Sequence, residues 1–424
     1  MTTAETAWTE AMRYENRHDP YRFFDELRKT PVVQVADKVY VVTGYRELLQ
    51  LAHDPHVSSD ISRSPISAKP AADAPDVGAD HMDAYGREPS LIVSDPAKHD
   101  KQRRQVMRHF APPHSPDVIP NMAADIQTLC DELLDKAKEK GSNTFDVVDE
   151  YAYPVPVAVI CKILGVPVAD EPTFHGWIFD FMAGADMGPD ADTEEGRARA
   201  QKGKESTAAL TAYMADLIHG FLTDPQDNVL SKLVNDTNGP DGPMTPKEAA
   251  ANAMLLLIAG HDSTVNTIAH CVLTLLRNPE SIDLLHEKPE LIPKAIEEVL
   301  RLQSAVQFFP SRSVTADIEV GGTVIPAGSA VHLLYGAANR DPKRFPDPEK
   351  FDIQRPDNQH VGWGRGVHSC VGGPLARLEV NIALETFLRR VENPRLVVDP
   401  PPYRVNQVFR GPLHLEVEFD EIKD

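Results

Sequence analysis

Between Thr245 and Asn278 the chain offers nothing that would end a helix. Thr245-Pro246-Lys247-Glu248 is a start signal, a capping box with proline at the first helical position. No further proline follows until Asn278-Pro279. The spacing predicts a rod of roughly 30 residues, about 45 Å long, enough to cross a whole domain. Its most apolar part, "AMLLLIAG" over 253–260, places it in the interior. The same run is far too short to span a bilayer.

Around that rod helix-like segments dominate. Asp19-Pro20 opens a short one, and another covers Leu291 to Gln303. Strand signals are fewer. "PVVQVADKVYVVTG" reads as two strands turning at Asp37–Lys38, and "ADIEVGGTVIPAGSAVHLL" turns at Gly321–Gly322 and at Pro326-Ala327-Gly328. The terminal "LHLEVEF" is strand-like. The expected class is mainly α with a smaller β-rich part. The polar stretch from Ile61 to Ser90 reads as a long loop of the lid type. A second loose stretch begins at Gly184, after the aromatics Phe174, Trp177, Phe179 and Phe181, which read as helix core or as part of a ligand lid.

A net charge of −21 argues against a nucleic-acid partner. Cys130, Cys161, Cys271 and Cys370 form no CxxC pair, so neither a disulfide framework nor a zinc ribbon is expected. With no basic-then-apolar leader at the N-terminus, the expected location is the cytoplasm, with no membrane partner.

One of those cysteines stands in "GWGRGVHSCVGG", residues 362–373. Leu375, Leu378, Ile382, Phe387 and Val391 then recur at helical spacing. Cys370 is thus expected just before a helix N-terminus, where the dipole and free amides favour the thiolate. Gly364, Gly366 and Gly372 let the backbone turn and approach something flat. Such a thiolate suits a nucleophile with His368 as base, a zinc ligand, for which only His360 and His368 are at hand where closely spaced cysteines or histidines are needed, or an axial ligand to haem iron. The plain alternative is a small buried cysteine in a turn. Ser369 in place of the third glycine excludes a dinucleotide fingerprint.

The string Trp363-Gly364-x-Gly366-x-His368-x-Cys370-x-Gly372-x-x-Leu375-Ala376-Arg377-x-Glu379 resembles the haem-binding signature of the cytochrome P450 family. That pattern normally begins with Phe where Trp363 stands. The resemblance implies haem b (iron protoporphyrin IX), with Cys370 as the axial thiolate, Trp363 packed beneath the ring and loop amides tempering the sulfur. The indole N–H could alter hydrogen bonding at that sulfur.

"AGHDST" at 259–264 resembles the family's oxygen-activation motif, with Ser263 at its first Thr. The resemblance assigns Ala259 and Gly260 to dioxygen's space, Thr264 to a hydrogen bond and Asp262 to proton entry, and gives His261 no role. This acid–alcohol pair favours a monooxygenase over a peroxygenase using hydrogen peroxide. It also opposes a non-catalytic haem-thiolate sensor, while a cysteine hydrolase is a more distant rival. Glu298 and Arg301 resemble the structural Glu-x-x-Arg, with Arg355 as its expected third member. Propionate partners are expected at His99, Arg103, Arg312, at the start of a strand, and His368.

The fold implied is the cytochrome P450 fold, one mostly helical domain over residues 19–424 behind an extension over 1–18, with the long helix over the haem. Electrons are expected from a separate ferredoxin and its NAD(P)H-dependent reductase, docked on a patch of Arg103, Arg104, Arg108, Arg365 and Arg377. By analogy, Met254, Ile258, Ala259, Val306, Gln307, Phe308, Phe309, Val408 and Phe409 would face a small to medium hydrophobic substrate, for hydroxylation or O-dealkylation.

Overall fold

The computed structural model describes residues 2–63, 88–185 and 188–424. Most of the 61–90 loop, read above as a lid, lies outside the described residues. Nine helices of ten residues or more stand among them. They are α1 (Thr3–Met12), α2 (Pro96–Phe110), α3 (Ala123–Glu139), α4 (Pro154–Leu164), α5 (Glu171–Gly184), α6 (Glu194–Thr223), α7 (Pro246–Leu276), α8 (Ile292–Gln303) and α9 (Gly373–Arg390).

The rod is α7, 31 residues with Pro246 at its first position. Both halves of the capping box form: Thr245 Oγ1 accepts from Glu248 N, and the Glu248 carboxylate accepts from Thr245 N at 3.0 Å. Helices α4, α6, α8 and α9 pack around it. Its C-terminal half is buried on nearly every side from Thr264 to Leu275. Farther back Ala259 is exposed, with Leu255 and Ser263 partly so. These three recur every fourth residue and share one face.

The stretch from Gly184 is less loose than its composition suggests. From Glu194 onward it is α6, 30 residues long, with Thr193 capping Gly196 N at 3.0 Å. Small residues hide this helix from a hydropathy reading. A Cβ on Gly203 would come within 3.0 Å of the Asp180 carbonyl, so α5 and α6 touch backbone to backbone. In α5, Phe174 is buried and Phe179 is 49% exposed.

The main sheet has strands β1 (Val32–Ala36), β2 (Val39–Val42), β3 (Val57–Ser58), β4 (Phe308–Val314) and β5 (Ala330–Leu334), in the order β1-β2-β5-β4-β3. Only β2–β5 is parallel. The β1–β2 turn falls where expected, with Lys38 at φ 53°. Arg312 lies inside β4 and not at its start.

Residues 3–18 are not an appendage, which corrects the expected extension over 1–18. Ala7, Ala11 and Met12 are buried, and Trp8 packs edge-on against Phe308 at 5.8 Å. Arg410, fully buried, is held by the carbonyls of Arg17 and His18. The first turns are therefore part of the core around the sheet.

Candidate functional site

The cysteine loop sits between a short 3₁₀ turn, Gly366–His368, and α9. Cys370 N donates to the Trp363 carbonyl at 2.8 Å, closing the loop. Gly364 and Gly366 have φ of 68° and 71°, which glycine adopts without strain. A Cβ on Gly366 would also meet the Ala52 carbonyl at 2.1 Å. Gly372 differs from the expectation, with a helical φ of −82° and no crowding. Its contribution is its amide, which with that of Gly373 hydrogen-bonds the Cys370 sulfur and lowers its pKa.

The Cys370 side chain is accessible to solvent, yet protein surrounds it closely. Desolvation wins over the amides and over Arg103 and Arg377, so the free thiol is pushed up, not down as the helix N-terminus alone predicts. Coordination to a metal ion would deprotonate it outright.

Trp363 does not use its N–H on the sulfur. Nε1 donates to Glu297 Oε2 at 3.0 Å, and Arg377 stacks on the indole at 4.4 Å while its Nε reaches Glu297 Oε1 at 2.6 Å. His360 completes the cluster: its Nδ1 accepts from Gly362 N at 3.0 Å, so its Nε2–H donates to Glu297 at 2.8 Å. Burial would raise Glu297, but the bonds from His360, Arg377 and Trp363 hold it down at about 2. Next to it, Glu298 and Arg301 form a fully buried pair at 2.8 Å. Arg355 closes on Glu298 at 3.1 Å as the expected third member, and Arg301 also donates to the carbonyls of Asn339 and Pro348.

All four expected propionate partners stand beside the loop. His99 on α2 lies 4.4 Å from the His368 ring, and Arg103 Nη2 is 3.5 Å from Ser369 Oγ. His99 Nε2, Arg103 Nη1 and His368 Nδ1 are buried with no partner. His368 is driven down to about 3 by burial and by Arg312, His99 and Arg103. The unpaired Arg103 Nη1–H, with the buried Arg312 guanidinium near by, is what a dianionic group would satisfy. The residues present therefore fit haem. Ser59 Oγ holds His368 Nε2 at 2.7 Å, a partner hidden in a stretch with no motif.

In α7 the polar middle divides by role. Gly260 packs against α4, where a Cβ would come within 2.6 Å of Ile160 Cγ1. Its side faces helix packing, a correction to the assignment of Gly260 to dioxygen's space, whereas Ala259 is open. Ser263 and Thr267 return their hydroxyls to helix carbonyls at 3.1 and 2.8 Å. The Thr264 hydroxyl makes no such bond among the described residues. Asp262 is buried and ion-paired to Arg404 at 2.7 Å.

Of the expected substrate contacts, Met254, Val306, Phe309 and Phe409 are partly exposed, and Val306 bridges to Phe409. Phe308 is corrected: it is fully buried against Trp8 and His332, because strand alternation turns it away from Phe309. Val408 and Ile258 are likewise core, and Gln307 is buried. The expected basic patch is largely neutralised: Arg104 pairs with Asp241, Arg108 with Asp236 and Arg377 with Glu297. Arg365 bonds the His360 carbonyl.

Residues 205–419 match the family model described as Cytochrome P450. The chain is 33% identical to Cytochrome P450 107B1 of Saccharopolyspora erythraea, over 97% of this chain and 98% of that one. It is 31% identical to 6-deoxyerythronolide B hydroxylase of the same organism, over 95% and 96%. The ligand-free crystal structure of Mycobacterium smegmatis CYP164A2 superposes with a TM-score of 0.84 at 30% identity, over 98% and 100%.

Proposed function

The chain belongs to the cytochrome P450 family, and from that premise we propose that Cys370 holds the iron of haem b while Asp262 and Thr264 bring protons to dioxygen, for oxidation of a hydrophobic organic molecule. The observation that carries this reading is the convergence beside the cysteine loop of half-buried Arg103 and buried Arg312 with His99 and His368, where Arg103 Nη1, His99 Nε2 and His368 Nδ1 are buried without partners.

Haem, when bound, supplies the redox-active iron at which dioxygen is reduced and cleaved. Cys370 would hold the iron as a thiolate, whose charge the Gly372 and Gly373 amides would stabilise. Arg103, Arg312, His99 and His368 would hold the propionates. Thr264 keeps its hydroxyl free to hand on a proton, and Asp262 is the acid behind it. We take the haem domain to include α1 as well as residues 19–424.

The four cysteines form no Cys-x4-Cys-x2-Cys run of the kind that holds an iron–sulfur cluster, and we read the electrons as entering from a separate protein. We read the donor as a ferredoxin with an NAD(P)H-dependent reductase. Exposed Val367, on the cysteine loop beside Arg365, offers it an apolar contact. Among the described residues no helix is long and apolar enough to cross a membrane. Cys130, Cys161 and Cys271 are buried free thiols, which suits the cytoplasm. Leu255, Ala259, Val306, Phe309 and Phe409 supply the apolar substrate surface. The relative named for 6-deoxyerythronolide B hydroxylation supports the hydroxylation reading.

A screen for ferric spin-state change finds ligands, and turnover under isotope-labelled dioxygen then tests the reaction. One labelled atom in the product and one in water is expected. Product formed from hydrogen peroxide but not from dioxygen and reductant would overturn the reading.

A further inference from the structure

Strand β4 is irregular just before Arg312. Phe309 pairs with Leu333 of β5 and Arg312 with Val331, so three steps on one strand match two on the other. That is a bulge of one residue. Pro310, with no amide to give the ladder, falls inside it. On a regular strand, residues three apart point to opposite faces. The bulge cancels that alternation: Leu333 and Val331 share a face of β5, so Phe309 and Arg312 share it too. Their contact follows, with the Arg312 guanidinium 5.0 Å from the centre of the Phe309 ring.

Little else holds this cation. Arg312 is buried, and its guanidinium donates to the Ile92 carbonyl at 3.3 Å, in the short turn Leu91–Val93. Asp95 and Tyr335 act on it electrostatically, and among the described residues neither bonds it. Phe309, by contrast, is partly exposed, as are Val306 and Phe409. One ring thus meets the buried cation and still has surface left open. A cation over a ring face is attracted by the ring's quadrupole, which changes an equilibrium constant by about two- to fivefold at exposed sites and by more once water is excluded.

We propose that Phe309 is a positioning residue for Arg312: its ring holds the guanidinium back from a haem propionate, and an apolar substrate group that displaces the ring frees the guanidinium for it. Resting on the reading of Arg312 as a propionate partner, this gives an occupant of the apolar surface a route to the haem's charge that does not touch the iron. The occupant it senses is bulky and apolar, an aromatic ring above all, because only such a group competes for the space of the Phe309 side chain. A guanidinium nearer the propionate cancels more of its negative charge. The ferrous state, which carries one more electron, is then favoured over the ferric one. No covalent bond forms or breaks; only the position of an ion contact changes.

The test uses the haem-loaded protein, wild type beside Phe309→Leu and Phe309→Tyr, with imidazole and 4-phenylimidazole as probes. Both probes give the iron the same nitrogen ligand and the same low-spin state, so they differ only in the phenyl group laid on the apolar surface. Reduction potentials are read by spectroelectrochemical titration. In wild type, the phenyl group is expected to raise the ferrous-to-ferric ratio by about threefold or more over imidazole, which is about 30 mV. Phe309→Leu with imidazole is expected to start about threefold higher than wild type, and the phenyl group to add less than half of its wild-type effect. Phe309→Tyr keeps the ring face and is expected to follow wild type. A crystal structure of Phe309→Leu is expected to show Arg312 moved onto the propionate. An Arg312 that stays in place, a phenyl effect that is absent in wild type or undiminished in Phe309→Leu, or a Phe309→Tyr that behaves like Phe309→Leu overturns the proposal while the haem reading stands. Failure of 4-phenylimidazole to displace imidazole in wild type overturns it as well, since the apolar surface would then not reach the space above the iron. If wild type takes up no haem, the reading of Arg312 as a propionate partner fails, and the proposal falls with it.

Discussion

Replacing Glu297 by Gln isolates the anchor behind the cysteine loop. In the folded protein its carboxylate is held at about 2 against an ordinary 4.5. A depression of that size corresponds to about 3 kcal/mol of stability at neutral pH. Because the folded value lies below the unfolded one, this contribution is complete above the unfolded pKa. It falls to about 2 kcal/mol near pH 3.5 and to under about 1 kcal/mol near pH 2.5. The assay is denaturant unfolding of the haem-loaded protein and of Glu297→Gln, in parallel across that pH range. The variant is expected to be less stable at pH 7 by about 3 kcal/mol at most, since the Gln carbonyl still accepts one bond. The gap is expected to close as pH falls. A gap under about 0.5 kcal/mol at pH 7, or one that does not change with acid, refutes the claim that Glu297 is the charged hub for His360, Trp363 and Arg377.

Glu379 shows the opposite behaviour: it is fully buried, both oxygens lack partners, and burial raises its pKa well above normal. The wild type should therefore lose stability as pH rises above the ordinary carboxyl range, and Glu379→Gln should remove that loss, being at least as stable at pH 8 in urea unfolding. Arg355→Ala leaves the Glu298–Arg301 pair short of a partner and should cost about 3–5 kcal/mol, read as lost haem retention on heating. Gly260→Ala should cost about 1–3 kcal/mol by thermal unfolding, and Ile160→Val in the same chain should recover part of it, because the clash is with Ile160.

The motifs of this chain were legible because each is local. The capping box at Thr245, the loop around Cys370 and the i, i+3 pair Glu298–Arg301 are short strings whose geometry follows from helix and turn rules. What stayed hidden depends on residues far apart in sequence. Arg404 lies 142 residues from Asp262 in an unpatterned segment, and Ser59 lies 309 residues from His368. The first half of helix α6 was obscured for a different reason, since its contact with α5 is made by glycine and the apolar stripe of Leu210, Met214, Ile218 and Phe221 begins only farther on. Phe308 and Phe309 read alike as apolar neighbours, and only the strand pleat sends one to the core and the other to the open side. The N-terminal turns read as a tail because their anchors, Phe308, Tyr403 and Arg410, come from the last third of the chain. Glu297 was one residue from a recognised motif, and its role became visible only when His360, Trp363 and Arg377 were seen to converge on it.

The measurement that tests the central claim most directly is the carbon monoxide difference spectrum of the reduced protein, taken beside Cys370→His. The wild type is expected to give the strongly red-shifted Soret band of a thiolate-ligated ferrous carbonyl, and the variant the shorter-wavelength band of an imidazole-ligated one. A wild type that takes up no haem, or a variant whose spectrum matches wild type, would show that the sulfur of Cys370 is not the iron ligand.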